Sequence, residues 1–217
     1  MIKIDNVSKS YNGELVLKSV SLNIGDGDFL SIMGESGSGK STLISILGGF
    51  LSPDSGSILW NGEDILSYDD DALAAMRCGK MGFVFQSFRL IPTLSARDNI
   101  LLPATLGGHI NPEIMDYMSY ICSSLGIEGL LDKLPEQLSG GQCQRVAIAR
   151  ALVYKPSVLI MDEPTGALDS EMEERVMRLI SKINEELGTT VIQVTHSRRV
   201  AEFGRKTIII SDGKIAI

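Results

Sequence analysis

Cysteines are too few and too irregularly placed to build a framework. Cys78, Cys122 and Cys143 are an odd number with no C-x-x-C spacing, which argues against a disulfide scaffold or a zinc site and leaves reduced cytoplasmic thiols as the plain reading. Basic residues are also short: 20 Lys and Arg face 27 Asp and Glu, a formal net charge of −7. That balance argues against a nucleic-acid binder held by phosphate neutralisation. The pair Arg198-Arg199 is a short cluster, better read as a charged surface face. No apolar run approaches the ~18 residues needed to span a bilayer, so work at a membrane would need another chain to do the spanning. No signal peptide is expected, because Met1-Ile2-Lys3-Ile4-Asp5 already reads as a strand. The rest is ordinary for a globular chain. Its 217 residues, 44% hydrophobic and 22% charged, suit one domain with a sizeable core and room for a subdomain.

One stretch organises the chain: Gly34-Glu35-Ser36-Gly37-Ser38-Gly39-Lys40-Ser41-Thr42 fits G-x-x-x-x-G-K-[ST] at every fixed position. Phe29 to Met33 before it reads as a short buried strand. Lys40 to Leu47 after it reads as a helix with Leu43, Ile44 and Leu47 on one face. The glycines let successive backbone N–H groups turn inward toward phosphate oxygens, and the helix N-terminus adds partial positive charge. Lys40 then reaches the β- and γ-phosphates, and the Ser41 hydroxyl is a Mg²⁺ ligand. A glycine-rich turn of no special purpose is the bland alternative, and the flanking strand and helix weigh against it. A bound nucleoside triphosphate is expected.

Around that loop the chain alternates strands and helices. Ile2 to Val7 and Leu15 to Ile24 read as half-buried strands joined at Asn12-Gly13. Tyr11 precedes that turn, and the pattern leaves a strand-edge aromatic and a nucleotide neighbour equally open. Ser57 to Trp60 suggests a further strand, and Asp69 to Met76 a short acidic helix. Met81 to Phe85 is a compact apolar strand ending at Gln86, where an open α/β sheet places ligand-contacting groups. From Ser87 to about Pro135 helical signals take over, with Ser95 to Asp98 resembling a capping box and Asn111-Pro112 a helix start.

Leu138-Ser139-Gly140-Gly141-Gln142 opens a helix expected to run from about Gln142 to Tyr154, a second anion-binding terminus. One nucleotide does not need two such cradles from one chain, so the second suits a nucleotide held by another subunit. Val158 to Met161 is a fully apolar strand ending in Asp162-Glu163. An aspartate there holds Mg²⁺, directly or through water, and the next carboxylate orients and deprotonates an attacking water. Ser170 with Glu173 is read as the cap of a helix turning Met172, Val176, Leu179, Ile180, Ile183 and Leu187 inward, stopped by Gly188. Thr190 to Thr195 is the next strand, with His196 at its end converging on the same site. His109 carries no signal. Thr207 to Ile210 and Lys214 to Ile217 close the chain as strands.

The phosphate loop, Gln86, Leu138 to Gln142, Asp162-Glu163 and His196, in this order and spacing, resemble the ATP-binding subunit of an ABC transporter over essentially the whole chain. The Leu-Ser-Gly-Gly-Gln element is the most specific part. The resemblance implies an α/β phosphate-loop ATPase core, with a mostly parallel RecA-like sheet, an N-terminal antiparallel β-subdomain and a helical insertion. It divides residues 1–217 into a catalytic core of 1–86 and 157–217 and a helical subdomain of about 87–156.

It also implies roles. Tyr11 matches the aromatic that stacks on adenine, which tips the balance toward function. Gln86 matches the glutamine that senses Mg²⁺ and the attacking water. Ser139, Gly140, Gly141 and Gln142 match the signature that meets the γ-phosphate of ATP on the partner subunit. Asp162 and Glu163 match the Mg²⁺-linked aspartate and the general base. Asp169 matches a loop crossing the dimer interface, and His196 the switch histidine.

Leu90 to Leu94 running into Asp98-Asn99-Ile100, with Asp162 to Ser170, is similar to the macrolide-exporter, lipoprotein-release, antimicrobial-peptide-export and cell-division branch. The chain departs from the family at Cys143, where a glutamine or glutamate usually stands, and at Ser197, where an aspartate often does. The expected protein is thus a Mg²⁺-dependent ATPase that pairs with a second copy around two ATP molecules and drives a transmembrane permease. It would sit in the cytoplasm against the inner face of the membrane, without nucleic acid and with no metal but Mg²⁺. A non-transport role, such as cell-division regulation, is the alternative. The apolar residues from Ser87 to Pro103 read either as packing of the helical subdomain, as some must be, or as part of an exposed site; the resemblance implies a permease docking groove beside them, with Leu90 the example of an exposed position.

Overall fold

Asn12 and Gly13 both take positive φ, 51° and 85°, the backbone that a tight hairpin turn requires. They join β1 (Ile2–Tyr11) to β2 (Glu14–Ile24), each longer than its apolar alternation suggests. The computed structural model describes residues 1–108 and 110–216. His109 and Ile217, the latter expected to end the last strand, lie outside the described residues. After β3 (Phe29–Met33) and α1 (Lys40–Leu47), β4 (Ser55–Trp60) pairs antiparallel with β1, and β5 (Glu63–Asp64) with β4. The resulting four-stranded sheet has the order β2-β1-β4-β5.

The main sheet has six strands. Helix α2 (Asp70–Lys80), capped by Asp69, leads into β6 (Met81–Val84). Helices α3 (Ala96–Leu106), α4 (Pro112–Leu125) and α5 (Gly140–Leu152) follow, with no strand between them among the described residues. Then come β7 (Val158–Asp162), α6 (Ser170–Leu187), β8 (Thr190–Val194), α7 (Arg198–Ala201), β9 (Lys206–Ser211) and β10 (Lys214–Ala216). The order is β10-β9-β3-β8-β7-β6, and only β10 runs antiparallel.

Register matters most for function. Ile32 lies opposite Val194, Asp162 opposite Val194, and Val84 opposite Met161. The C-terminal ends of β3, β6, β7 and β8 are therefore level. Whatever follows each strand meets at one sheet edge, where open α/β sheets place ligands.

Two apolar clusters hold the layers. One packs Leu17, Ile32, Leu43, Leu47, Ile58 and Ile160 between the two sheets and α1. The other packs Val84, Ile100, Met118, Leu125, Val146, Leu159 and Ile180 around α3 to α6. Each fully buried Leu or Ile contributes roughly 1.5–3 kcal/mol. Cys78, Cys122 and Cys143 are free thiols, and burial pushes Cys122 up to about 11. Among the described residues no helix is long and apolar enough to cross a membrane.

Several expectations need correction. Helix α6 is capped by Asp169, whose side chain accepts from Met172 N at 2.9 Å, not by Ser170. Glu173 is drawn away to Thr165 Oγ1, 3.1 Å off. Leu187, expected to face inward, is exposed as the last residue of α6, where Gly188 stops the helix. Helix α5 starts at Gly140, two residues early, since Ser139 caps it. Leu90, expected to be exposed, is half-buried. It packs on the helical cluster, as do Ile100 and Leu101, leaving Ile91 (37% exposed) as the outward residue of that run.

Candidate active site

The loop from Gly34 to Gly39 is pressed against the sheets it leaves. Gly34 has φ 152°, and a Cβ there would land on the Ile210 carbonyl oxygen of β9. Gly39 has φ 102°, with Leu17 Cδ2 2.8 Å and Val16 O 2.9 Å from where its Cβ would stand. Both positions need glycine for backbone and for space. Helix α1 then begins at Lys40 with no acidic residue in its first turn, so the positive end of its dipole is uncompensated. The Lys40 ammonium is drawn into the loop, donating to Gly34 O at 2.8 Å, Glu35 O at 2.6 Å and Ser38 Oγ at 3.4 Å.

Beside this cradle stand the strand ends. Asp162, last in β7, accepts a hydrogen bond from Ser41, the second residue of α1. Burial raises its pKa, against the lowering effects of Ser41 and the Lys40 charge. Glu163 follows with φ 48°, left-handed and costly for a glutamate, and its N–H donates to Val194 O at 3.0 Å. That kink turns its carboxylate toward the end of β8. There Glu163 Oε1 lies 2.9 Å from His196 Nδ1, the carboxylate 15% and the imidazole 76% exposed.

Tyr11, Gly34, Ser36, Gly37, Gly39, Lys40, Ser41, Thr42, Gln86, Asp162, Glu163 and His196 line one cleft of about 510 Å³. Tyr11 is 46% exposed. Of the loop, Glu35 and Ser38 fall on the neighbouring cleft by Asp212-Gly213 instead. Val16, which the sequence did not single out, lines both.

The signature residues are elsewhere. Ser139, Gly140, Gly141 and Gln142 do not line the cleft, nor does Asp169. Ser139 and Gln142 form a reciprocal cap: Gln142 N donates to Ser139 Oγ at 3.3 Å, and Ser139 N to Gln142 Oε1 at 2.9 Å. Ser139 and Gly140 are exposed. The tip of α5 is nevertheless joined to the carboxylate loop from behind. Buried Gln144 donates from Nε2 to Pro164 O at 2.8 Å, and a Cβ on Gly141 would stand 3.0 Å from Ala167 O. Gln144 escaped sequence reasoning; a polar residue in the buried stripe of α5 was the signal.

The donor set suits ATP with a divalent cation. The glycine cradle, Lys40 and the bare end of α1 match polyphosphate. A hydroxyl and a half-buried carboxylate in contact, Ser41 and Asp162, are the hard oxygen ligands that Mg²⁺ takes.

Comparison with known proteins places this geometry. The sequence model of the ABC transporter family matches residues 17–166. The lipoprotein-releasing system ATP-binding protein LolD of Aquifex aeolicus is 42% identical over 215 residues, covering 99% of this chain and 96% of its own length. The macrolide export ATP-binding/permease protein MacB of Syntrophobacter fumaroxidans is 44% identical over 221 residues, 99% of this chain. The chain spans only 31% of that protein. Among solved structures, a dimeric ABC transporter cassette, MJ0796, superposes with TM-score 0.95 at 44% identity, covering 100% of this chain and 97% of that one. MJ0796 comes from Methanocaldococcus jannaschii and has also been solved as a dimer in a post-hydrolysis state with ADP and Pi. With the family matched over most of its length and the fold over all of it, the chain belongs to the ABC transporter family, as one of its ATPase cassettes.

Proposed function

We propose that two copies of this chain close around two Mg²⁺-ATP molecules, and that hydrolysis drives a separate transmembrane permease of an export, lipoprotein-release or force-transmitting system. One observation carries this reading. Lys40, Ser41, Gln86, Asp162, Glu163 and His196 converge on one cleft, while the capped, glycine-opened tip of α5 is exposed and lines no part of it. A second copy supplies what each half lacks. The tip of one copy would complete the cleft of the other, with Ser139, Gly140, Gly141 and Gln142 toward the γ-phosphate and Asp169 at the crossing.

Within the cleft, Tyr11 offers a ring to the adenine, and the loop from Gly34 to Thr42 offers N–H groups and the Lys40 ammonium to the phosphates. Ser41 and Asp162 would hold Mg²⁺, with Gln86 beside it. Bound there, the ion neutralises phosphate charge in the transition state. Glu163 takes the proton of the attacking water. His196, already against the Glu163 carboxylate, orients that base and contributes a donor toward the γ-phosphate. No step needs a covalent intermediate; positioning and fixed charge do the work.

The names of LolD and MacB favour an export or lipoprotein-release system, and a permease would place the chain at the inner face of the membrane. Exposed Phe50 and Ile91 are apolar groups suited to contact with it.

Glu163→Gln tests the core of the reading. It keeps size and hydrogen bonding but removes the proton acceptor, so turnover should fall about 10²–10⁴-fold while ATP still binds. ATP should then accumulate a dimer on size-exclusion chromatography. Steady-state hydrolysis near the wild-type rate would remove Glu163 from the role.

A further inference from the structure

The turn after Gln86 is built against backbone preference. Phe88 and Arg89 are consecutive non-glycine residues in the left-handed region, with φ 58° and 48°. In that region Cβ crowds the following carbonyl, and such a pair persists only where its surroundings over-determine it. Helix α5 is what does so here. Arg150, in its last turn, donates from Nη1 to Arg89 O at 2.6 Å and from Nη2 to Phe88 O at 2.7 Å. At the opposite end of the same helix, a Cβ on Gly140 would stand 3.8 Å from Phe88 Cζ. The turn thus lies along α5, hydrogen-bonded to it near one end and with the Phe88 ring beside the other.

Its own bonds tighten it further. Phe88 N donates to Phe85 O at 3.1 Å and Arg89 N to Ser87 O at 2.6 Å, while the Arg89 guanidinium lies 4.5 Å from the Phe85 ring centroid. Arg150 is partly buried, and burial lowers its pKa. The two carbonyls answer a charge taken out of water. A planar guanidinium fork bridges two neighbouring carbonyls at once, which an ammonium cannot do with the same geometry.

We propose that Arg150 is a positioning residue for Gln86: its fork locks the Phe88–Arg89 turn onto α5 and so fixes where the Gln86 side chain stands in the cleft. Arg150 does not line the cleft, so its effect passes through the turn. The proposal rests on the role of Gln86 given above. It also makes Gln86, in one site, and Gly140, at the tip that would serve the other, parts of a single piece.

The test uses the full chain with Arg150→Lys, Gln86→Ala and the double variant. Hydrogen–deuterium exchange of the segment from Gln86 to Leu94 should be about tenfold faster in Arg150→Lys, with the centre of α5 unchanged. The kcat for ATP should fall roughly 10- to 100-fold with KM within about twofold, the signature of a misplaced group rather than a lost binding site. In the Gln86→Ala background the same substitution should cost less than about twofold. Unchanged exchange, unchanged kcat, or an equal loss in both backgrounds overturns the proposal. Full turnover by Gln86→Ala alone would instead sink the role of Gln86, while exchange still reads the lock itself. If the lysine variant does not fold, Arg150→Gln, which leaves no charge to bury, gives the same readings.

Discussion

The cleft at the sheet edge and the tip of α5 use one physical device, a helix N-terminus entered through small residues, yet they are finished differently. At the start of α1 everything a polyphosphate needs is assembled. A lysine is folded into the loop, a hydroxyl meets a half-buried carboxylate, and a second carboxylate meets an imidazole. At the start of α5 there is only a cap between Ser139 and Gln142 and an exposed glycine beyond it. No carboxylate, lysine or histidine of the cleft is shared with that tip. The difference teaches how a chain divides labour: the charged chemistry is kept in one place, and a bare anion-facing terminus stands apart from it, which the proposed pairing would bring to the cleft of a second copy.

The comparison breaks hardest at Gly34. A Cβ there meets the Ile210 carbonyl, and φ is 152°. Strain of about 1–3 kcal/mol translates to ATP binding roughly 5- to 150-fold weaker in Gly34→Ala, read by calorimetry on the isolated chain. Gly140, exposed and with only a ring tip 3.8 Å from its added Cβ, should tolerate alanine in the same assay with affinity within about twofold. Equal losses at the two glycines would erase the distinction between them.

A smaller effect is expected outside both regions. Ile91→Glu puts a charge on an exposed apolar residue of the run that leads away from Gln86. Hydrolysis by the isolated chain should stay within about twofold, as for most surface changes. Co-purification with the permease and stimulation by it should fall about tenfold, from desolvating a new charge at a contact. Unchanged permease binding by this folded variant would move the docking surface elsewhere.

The smallest effect is on stability. Burial raises the Asp162 pKa above its ordinary 3.8, so folding favours the neutral carboxyl. Asp162→Asn keeps an acceptor for Ser41 without the charge. At pH 7 its Tm should exceed that of the wild type, which holds the charge against burial. The gap should close as pH is lowered well below 3.8, where the wild-type side chain is neutral folded and unfolded alike. It should reopen as pH rises through the raised folded value, where the wild type loses that favourable term. A wild type more stable than the variant at pH 7 would contradict this.

Much of this was legible beforehand because the signals are local. A glycine loop between strand and helix, an apolar strand ending in Asp162-Glu163, and Gln86 and His196 at other strand ends each announce themselves over a few residues. Level strand ends then bring them together, which follows from a parallel sheet once its register is known. What stayed hidden depends on distant partners. Asp169 rather than Ser170 caps α6, and Glu173 bonds Thr165 across the loop instead of closing a box. Leu90 reads as a loop residue until the helical cluster covers it. Gln193 sits in an apolar strand, yet its Nε2 donates to Ser31 Oγ and Val200 O, each at 2.9 Å, across elements the sequence cannot align. Arg150 is one basic residue among many until its two carbonyl partners, some sixty residues away, are in view.

The division between cleft and tip is tested most directly by mixing two crippled chains. Lys40→Ala damages the cleft and Ser139→Arg the tip, and each alone should be nearly inactive. In a mixed dimer, the intact cleft of the Ser139→Arg copy meets the intact tip of the Lys40→Ala copy, giving one whole site. An equal mixture should recover about a quarter of wild-type turnover, since half of the dimers are mixed and each carries one working site of two. A mixture no more active than its separate components, or wild-type hydrolysis by Ser139→Arg alone, would contradict the shared site.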